Sequence, residues 1–148
     1  MYNPPTYLTS ETLNQILAEF SWPSAFEIRE EDCTVDGIKV RFPKCIVYFR
    51  EGFESDISFY LANPILKDIK YWSSYDLIHY VYEPAIRNTP SFKEPALNNF
   101  FSPFASLEKV ENGLRDICIL IKTYLYPCID GDYSLIEEYN NQHPEKPL

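Results

Sequence analysis

Residues 35–61, which read VDGIKVRFPKCIVYFREGFESDISFYL, decide the fold. Apolar and polar side chains alternate over 38–42 and again over 57–61, which is the pattern of a strand with one buried face. The segment 45–50 between them is apolar on both sides, so we expect it to lie in the centre of the sheet or to have its second face covered. Short turns join these segments, and they therefore predict neighbouring antiparallel strands.

A further strand is predicted immediately before this stretch. Asp36-Gly37 has the composition of a two-residue hairpin turn, which would pair Val35 with Ile38. The apolar positions change from even numbers at 26 and 28 to odd numbers at 33 and 35. One extra residue, a β-bulge, is therefore expected within 30–32.

Helical signals flank the strands on both sides. Thr9 or Ser10 can cap a first helix, and its apolar stripe consists of Leu13, Ile16, Leu17 and Phe20. After the strands, Ser73 or Ser74 can cap a second helix that ends near Pro84.

The longest helix is predicted in the C-terminal third. Ser102-Pro103 suits an N-cap followed by the first helical position, and apolar residues recur at three- and four-residue steps from Leu107 to Leu125. Pro127 is expected to end this helix at about residue 126. A shorter helix over about 133–140 follows the turn Asp130-Gly131-Asp132, and residues from about 142 are expected to form a loose tail.

The predicted order is thus α-β-β-β-β-α-α-α within a single domain that spans 1–148. Consecutive strands with short turns favour an α+β fold in which a four-stranded antiparallel meander has its helices packed on one face. Residues 83–101 are long for a connection, and a single helical turn at 95–99 would shorten it.

Composition narrows the classes of function. The chain has 148 residues and a net charge of −9, from 22 acidic and 13 basic residues. Such an acidic chain repels phosphate backbones, so nucleic acid is not an expected partner. The sequence contains no apolar run long enough to span a bilayer and no secretory signal at its start, and we therefore expect a cytoplasmic protein with no membrane partner.

The sequence also argues against metal, nucleotide and disulfide chemistry. Cysteines 33, 45, 118 and 128 are widely spaced and are expected to be buried thiols, with a Cys33–Cys45 pair as the alternative if the protein is exported. Asp130 and Asp132 begin like a calcium loop, but Leu135 stands where glycine is required and Asn141 where a glutamate is required. The four glycines cannot form a phosphate-binding loop. No cofactor is predicted.

Catalytic constellations are weak. His143 lies in the polar tail, whereas His79 lies in the predicted second helix and could meet Cys118 or Asp76. Many carboxylates lie at predicted turns, where solvation explains them, so no catalytic pair can be selected. The sequence therefore predicts no enzyme, and a small enzyme that uses His79 is kept as the least favoured alternative.

A binding surface is the remaining possibility. The sheet face away from the helices is expected to show Glu27, Arg29, Lys39, Arg41, Ser58 and Tyr60, with Tyr48 or Phe49. Aromatic and arginine residues are common anchors of protein interfaces. The predicted partner-binding residues are the tyrosines of this face and the acidic residues of the turns beside it: Glu27, Glu30, Glu31, Asp32, Asp36, Tyr48, Glu51, Glu54, Asp56 and Tyr60.

Two alternatives to this surface stay open. Antiparallel sheets often show a polar face to water without any partner. A second apolar surface could form at the long connection, although these side chains could equally fill the edge of the core: Phe92, Phe100, Phe101 and Phe104.

Residues 114–134 run from Leu114 through Cys118 and Tyr124 to the turn Asp130-Gly131-Asp132-Tyr133-Ser134. This stretch resembles the closing segment of bacterial immunity proteins, in which a long amphipathic helix ends in a Gly-Asp-aromatic turn. The resemblance implies a small cytosolic protein that neutralises a cognate antibacterial toxin by direct binding. It carries over no binding residues, and the turn itself could be wholly structural.

The leading hypothesis is an immunity-type protein that binds a basic protein toxin in a 1:1 complex, because the chain is acidic and the predicted open face is rich in tyrosine. The alternative is an adaptor or chaperone-like protein-binding domain. The sequence leaves the oligomeric state open.

Overall fold

A four-stranded antiparallel sheet is the centre of the fold. The computed structural model describes residues 7–52, 55–77 and 106–148. The strands are β1 (Ile38–Phe42), β2 (Cys45–Glu51), β3 (Ile57–Ala62) and β4 (Tyr71–Ser73), and they are hydrogen-bonded in the order β1-β2-β3-β4. All three neighbouring pairs are antiparallel. The predicted α+β class and meander are confirmed.

One face of the sheet is covered by the helices. Because side chains alternate between the two faces of a strand, β1 and β3 bury every second side chain on the helix side. These buried side chains form one hydrophobic core together with buried residues of the helices. In β2, Phe49 belongs to this core whereas Tyr48 lies on the other face and is half-buried, which resolves the choice that the sequence left open. The sheet residues of the core are Ile38, Val40, Phe42, Cys45, Val47, Phe49, Ile57, Phe59, Leu61 and Trp72.

The helical layer consists of elements from both ends of the chain. Helix α1 (Ser10–Leu17) begins after Thr9, whose side chain accepts from the Thr12 N–H, as expected for an N-cap. Its partners are a short α2 (Ser74–Asp76) capped by Ser73, the long α3 (Leu107–Leu120), α4 (Tyr126–Ile129) and α5 (Ser134–Gln142). Helix α3 packs on β3 at Gly113, where a Cβ atom would make an ordinary contact of 3.5 Å with Ile57.

The predicted strand over 26–35 is wrong in detail. Isolated bridges pair Glu27 with Arg41 and Cys33 with Ile38, and between them Glu30–Asp32 forms a turn of 3₁₀ helix instead of a bulged strand. The two-residue turn is Val35-Asp36 rather than Asp36-Gly37, because Thr34 and Gly37 exchange backbone hydrogen bonds of 2.9 and 3.3 Å. The fourth strand of the sheet is instead β4, a three-residue strand that the sequence analysis did not predict.

The long helix also differs from its prediction at both ends. Helix α3 begins at Leu107, because Ser106 is extended and its hydroxyl accepts from the Lys109 N–H. The predicted cap at 102–103 lies outside the described residues, as does the predicted second helix beyond Leu77. At its other end α3 passes into a π-helical turn over Ile121–Leu125 and then into α4, so Pro127 occupies a first helical turn, where a missing N–H costs little.

The turn after α4 fastens the C-terminal region to the sheet. Gly131 has a φ of 94° and lies against the side chain of Lys44 in the β1–β2 turn. The hydroxyl of Tyr133 donates to the Lys44 carbonyl oxygen over 2.5 Å, and its ring packs on Trp72 of β4. The last residue, Leu148, exchanges hydrogen bonds of 2.6 and 3.3 Å with the side chain of Asn140 in α5.

Candidate interaction surface

The face of the sheet opposite the helices, here called the open face, carries two rows of side chains across the four strands. The strand register places Lys39, Tyr48, Tyr60 and Ser73 side by side in the first row. The second row consists of Arg41, Ile46, Ala62 and Tyr71. In the second row Ile46 and Ala62 are buried, whereas all four members of the first row stay half-exposed.

Tyr48 is the centre of an aromatic cluster on this face. Its ring centroid lies 6.0 Å from that of Tyr60 and 6.2 Å from that of Tyr71, distances at which aromatic pairs attract. The ring also lies over Gly37, where a Cβ atom would be 2.8 Å from the ring edge. The ammonium of Lys39 stands 5.5 Å from the centroid of Tyr71. Side chains held on several sides lose little freedom on binding, so the cluster is preorganised.

Asp32 and Arg41 form the strongest polar contact beside the open face. The guanidinium of Arg41 donates to both carboxylate oxygens of Asp32, over 2.6 and 3.0 Å. These hydrogen bonds hold the pKa of the Asp32 carboxyl below its ordinary value. Asp32 is only 6% exposed. The Asp32 carboxylate therefore binds the 3₁₀ turn to β1, and little of it is left for a partner protein to contact.

Four other predicted acidic residues lie exposed along β1 and form what we call the acidic edge: Glu27, Glu30, Glu31 and Asp36. Arg29 lies among them, 3.2 Å from a Glu27 oxygen and 3.8 Å from a Glu31 oxygen. Exposed pairs of this kind are screened by water and contribute little stability. The four carboxylates outnumber the nearby cations of Arg29 and Lys39, since Arg41 is paired with Asp32, so the acidic edge keeps a small excess of negative charge.

Two further predicted residues have internal partners. The Glu51 carboxylate accepts the backbone N–H groups of Tyr7 and Leu8 over 2.8 to 3.0 Å, which fastens the segment before α1 to β2. An Asp56 oxygen lies 3.2 Å from the ammonium of Lys109, a residue that is 4% exposed. Glu54 lies outside the described residues. The structure thus brings together Tyr48, Tyr60 and the acidic edge, and uses Asp32, Glu51 and Asp56 to stabilise the fold.

Tyr71 is the member of the cluster that the sequence analysis missed. It belongs to β4, where Tyr71-Trp72-Ser73 offers only three residues and no alternation to count. The neighbouring aromatic pair, which favours strands, is the signal that could have indicated it.

A groove lies at the end of the open face where β1 turns into β2. Its volume is about 430 Å³, and its lining includes Phe26, Arg29, Arg41, Ile46 and Pro64. Pro64 belongs to the β3–β4 loop, residues 63–70, which presents Ile65, Leu66 and Ile69 to solvent. Apolar side chains therefore continue from the groove onto an exposed loop.

Across 7–52, 55–77 and 106–148, no group of three or more His, Cys, Asp and Glu side chains could hold a metal ion. His79 and the four phenylalanines proposed for the second surface lie outside these ranges.

The thiols were predicted to be buried, and three of them are. Burial raises the pKa of Cys45 and of Cys118 to about 12, and Cys128 is buried as well. Cys33 is exposed, contrary to expectation, because the 3₁₀ turn replaces the predicted strand. None of these four cysteines, all of which lie in the described residues, forms a disulfide.

Comparisons with known proteins give no relative from which a function could be transferred. The chain matches no protein-family model, and neither curated proteins nor solved structures give a significant match. Within the described part of the chain, none of the helices has the length and apolar character to cross a membrane.

Proposed function

We propose that this protein is an immunity-type binding protein that neutralises a cognate antibacterial toxin by direct 1:1 association in the cytoplasm. The observation that supports this best is the preorganised cluster of Tyr48, Tyr60 and Tyr71 on an open sheet face, beside an exposed acidic edge. The resemblance of residues 114–134 to the closing segment of immunity proteins supports the same proposal.

The tyrosines supply the contact area. A tyrosine ring buries a large apolar surface and keeps a hydroxyl for a hydrogen bond, at the cost of few rotatable bonds. Tyr48 and Tyr60 are half-buried in the free chain, so part of each ring is available to a partner. Truncation of a central anchor of this kind usually costs about 2 kcal/mol or more of binding free energy.

The acidic edge selects and steers the partner. Its four carboxylates are exposed to solvent, namely those of Glu27, Glu30, Glu31 and Asp36, and the net charge of the whole chain is −9. A basic partner is therefore attracted before contact, which raises the association rate at low ionic strength. Added salt is expected to slow association and to leave the dissociation rate nearly unchanged.

The proposal predicts that a neighbouring gene encodes the toxin, and the test is protection of cells from the product of that gene. Co-expression of the wild-type chain is expected to restore growth, and Tyr48→Ala with Tyr60→Ala is expected to lose protection. Tyr126→Ala is the matched control, because Tyr126 belongs to the helical layer and its loss leaves the open face intact. Circular dichroism checks that each variant is folded.

If co-expression of the wild-type chain does not restore the growth of cells that produce the toxin, the proposal is contradicted. Equal affinity of the purified chain for an unfolded carrier protein and for the toxin would instead indicate the adaptor or chaperone-like alternative.

A further inference from the structure

We propose that the free protein forms a two-fold symmetric dimer in which two open faces meet. The inference concerns the chain in the absence of any partner, and it does not depend on the proposed function. It rests on two exposed patches of opposite charge at opposite ends of the open face.

The first patch is the β3–β4 loop. It follows Ala62, which pairs with Ile46 at the end of the sheet where β1 turns into β2. Residues 65–70 are all exposed, with Ile65 at 76% of its full accessibility. They carry three aliphatic side chains and the two ammonium groups of Lys67 and Lys70 against the carboxylate of Asp68. The loop is therefore apolar and locally positive in a chain of net charge −9.

The second patch, here called the turn patch, is the turn that leads into β1 together with Glu30, Glu31 and Asp36 of the acidic edge. Glu27 does not belong to it, because it bridges Arg41 and lies beside the groove at the other end of β1. This turn precedes Ile38 and so lies at the other end of the strands. Val35 at its tip is fully exposed, and Glu30, Glu31 and Asp36 surround it in the sequence. The guanidinium groups of Arg50, on the Asp36 carbonyl oxygen, and of Arg29, near Glu31, lie beside these three carboxylates. The patch therefore keeps a small net negative charge around an exposed valine, which complements the loop in both respects.

A two-fold axis between two facing sheets brings these patches together twice. When two copies face each other with the axis perpendicular to the line that joins the patches, the loop of each copy lies against the turn patch of the other. Such an isologous contact closes on itself and does not propagate into a fibre. The tyrosine clusters then meet near the axis.

The area of the open face shows why a dimer interface also needs both patches. Four strands about 4.8 Å apart, with about six residues at 3.3 Å each, give a face of about 20 by 20 Å, or about 400 Å². A stable interface buries about 800 Å² on each partner. The tyrosine face alone supplies about half of this area, so the loop and the turn patch must supply the rest. The dimer is therefore expected to be weak.

A charge-swap experiment tests this arrangement on the purified full chain. Sedimentation velocity at about 10 and about 500 μM covers the range expected for a small interface. We expect the wild-type chain to shift from monomer to dimer over this range. Lys67→Glu with Lys70→Glu, and separately Glu30→Lys with Asp36→Lys, are each expected to weaken dimerisation at least about tenfold.

An equimolar mixture of the two charge-reversed proteins is expected to recover the dimer, because each interface then pairs opposite charges again. Lys146→Glu, which changes an exposed lysine in the C-terminal tail, is the control and should dimerise like the wild type. A wild-type chain that is monomeric at about 500 μM would overturn the proposal. A dimer that neither reversal weakens, or that the mixture does not recover, would overturn it as well.

Discussion

Gly37 offers the most direct test of how the open face is built. This residue precedes β1, and its Cα lies beneath the ring of Tyr48 and close to the backbone of β2. A Cβ atom at this position would collide with the carbonyl oxygen of Phe49 and would lie 2.8 Å from the Tyr48 ring. A carbonyl oxygen in a strand cannot rotate away as a side chain can. Gly37→Ala is therefore expected to push β2 away from the start of β1.

The expected cost follows from two opposing contributions. An alanine restricts the unfolded chain and by itself stabilises a protein by about 0.4–1 kcal/mol. Insertion of a methyl group into a packed site that cannot relax costs about 1–3 kcal/mol, and a clash with backbone lies at the upper end. We expect a net loss of about 1–2 kcal/mol in the free energy of unfolding, with a fall in Tm of about 3–8 °C. Urea and thermal unfolding followed by circular dichroism measure both quantities.

Gly52 provides the matched control. It also lies in a turn of the sheet, but the nearest atom to a Cβ at this position is the Asp56 carbonyl oxygen at 3.7 Å, an ordinary contact. Gly52→Ala is expected to leave the free energy of unfolding unchanged or to raise it by up to about 1 kcal/mol. Equal stability of the two alanine variants would refute the packing of Tyr48 on Gly37 and the register of the hairpin on which it depends.

Three further results are expected. Asp32→Asn should lower the free energy of unfolding by about 2 kcal/mol at neutral pH, because the buried carboxylate accepts two hydrogen bonds from Arg41. Since the folded-state pKa of Asp32 lies below its ordinary value of 3.8, its contribution is complete above that pH and is lost as the pH falls through the folded-state pKa. Below neutral pH, the free energy of unfolding of Asp32→Asn should therefore fall less steeply with decreasing pH than that of the wild type. Parallel pH dependences of the two proteins would contradict the role given to the Asp32 carboxylate. Gly113→Ala should stabilise the protein by about 0.5–1 kcal/mol in urea unfolding, because a Cβ there meets Ile57 at 3.5 Å and glycine weakens a helix interior; a loss of stability would show that α3 and β3 are closer than described. In the native protein an aromatic disulfide reagent should react rapidly with Cys33, whose thiol is exposed, and a second rapid thiol would show that the core opens. The protected thiols are those of Cys45, Cys118 and Cys128.

Hydrophobic periodicity predicted most of the sheet. The alternation at β1 and β3 correctly separated the buried face from the open face, because a side chain in a strand must point to one side or the other. It could not place Tyr48 and Phe49, since both are aromatic and β2 is apolar on both sides. Only the pairing with β1 and β3 decides which of the two faces the helices.

The remaining errors arise where tertiary contacts outweigh local pattern. Residues 30–32 form a 3₁₀ turn because Asp32 reaches Arg41, a contact between residues nine positions apart. The three residues of β4 are too few to show a period, and their pairing with β3 forms the strand. For the binding surface, the sequence correctly placed Tyr60 on the open face and left Tyr48 and Phe49 as alternatives. It could not distinguish an exposed carboxylate from one, such as that of Glu51, that accepts backbone N–H groups.

The turn at Gly131-Asp132-Tyr133 has a wider consequence for how this chain is compared with others. The Tyr133 hydroxyl donates to the Lys44 carbonyl oxygen, and Gly131 leaves space for the Lys44 side chain. The turn is therefore a link between the last helices and the β1–β2 hairpin, which is distant in the sequence. Two chains that share such a link are expected to share the same arrangement of sheet and helices. Their targets can still differ, because the residues that we propose for target binding lie on the far side of the sheet and can diverge while this link stays the same.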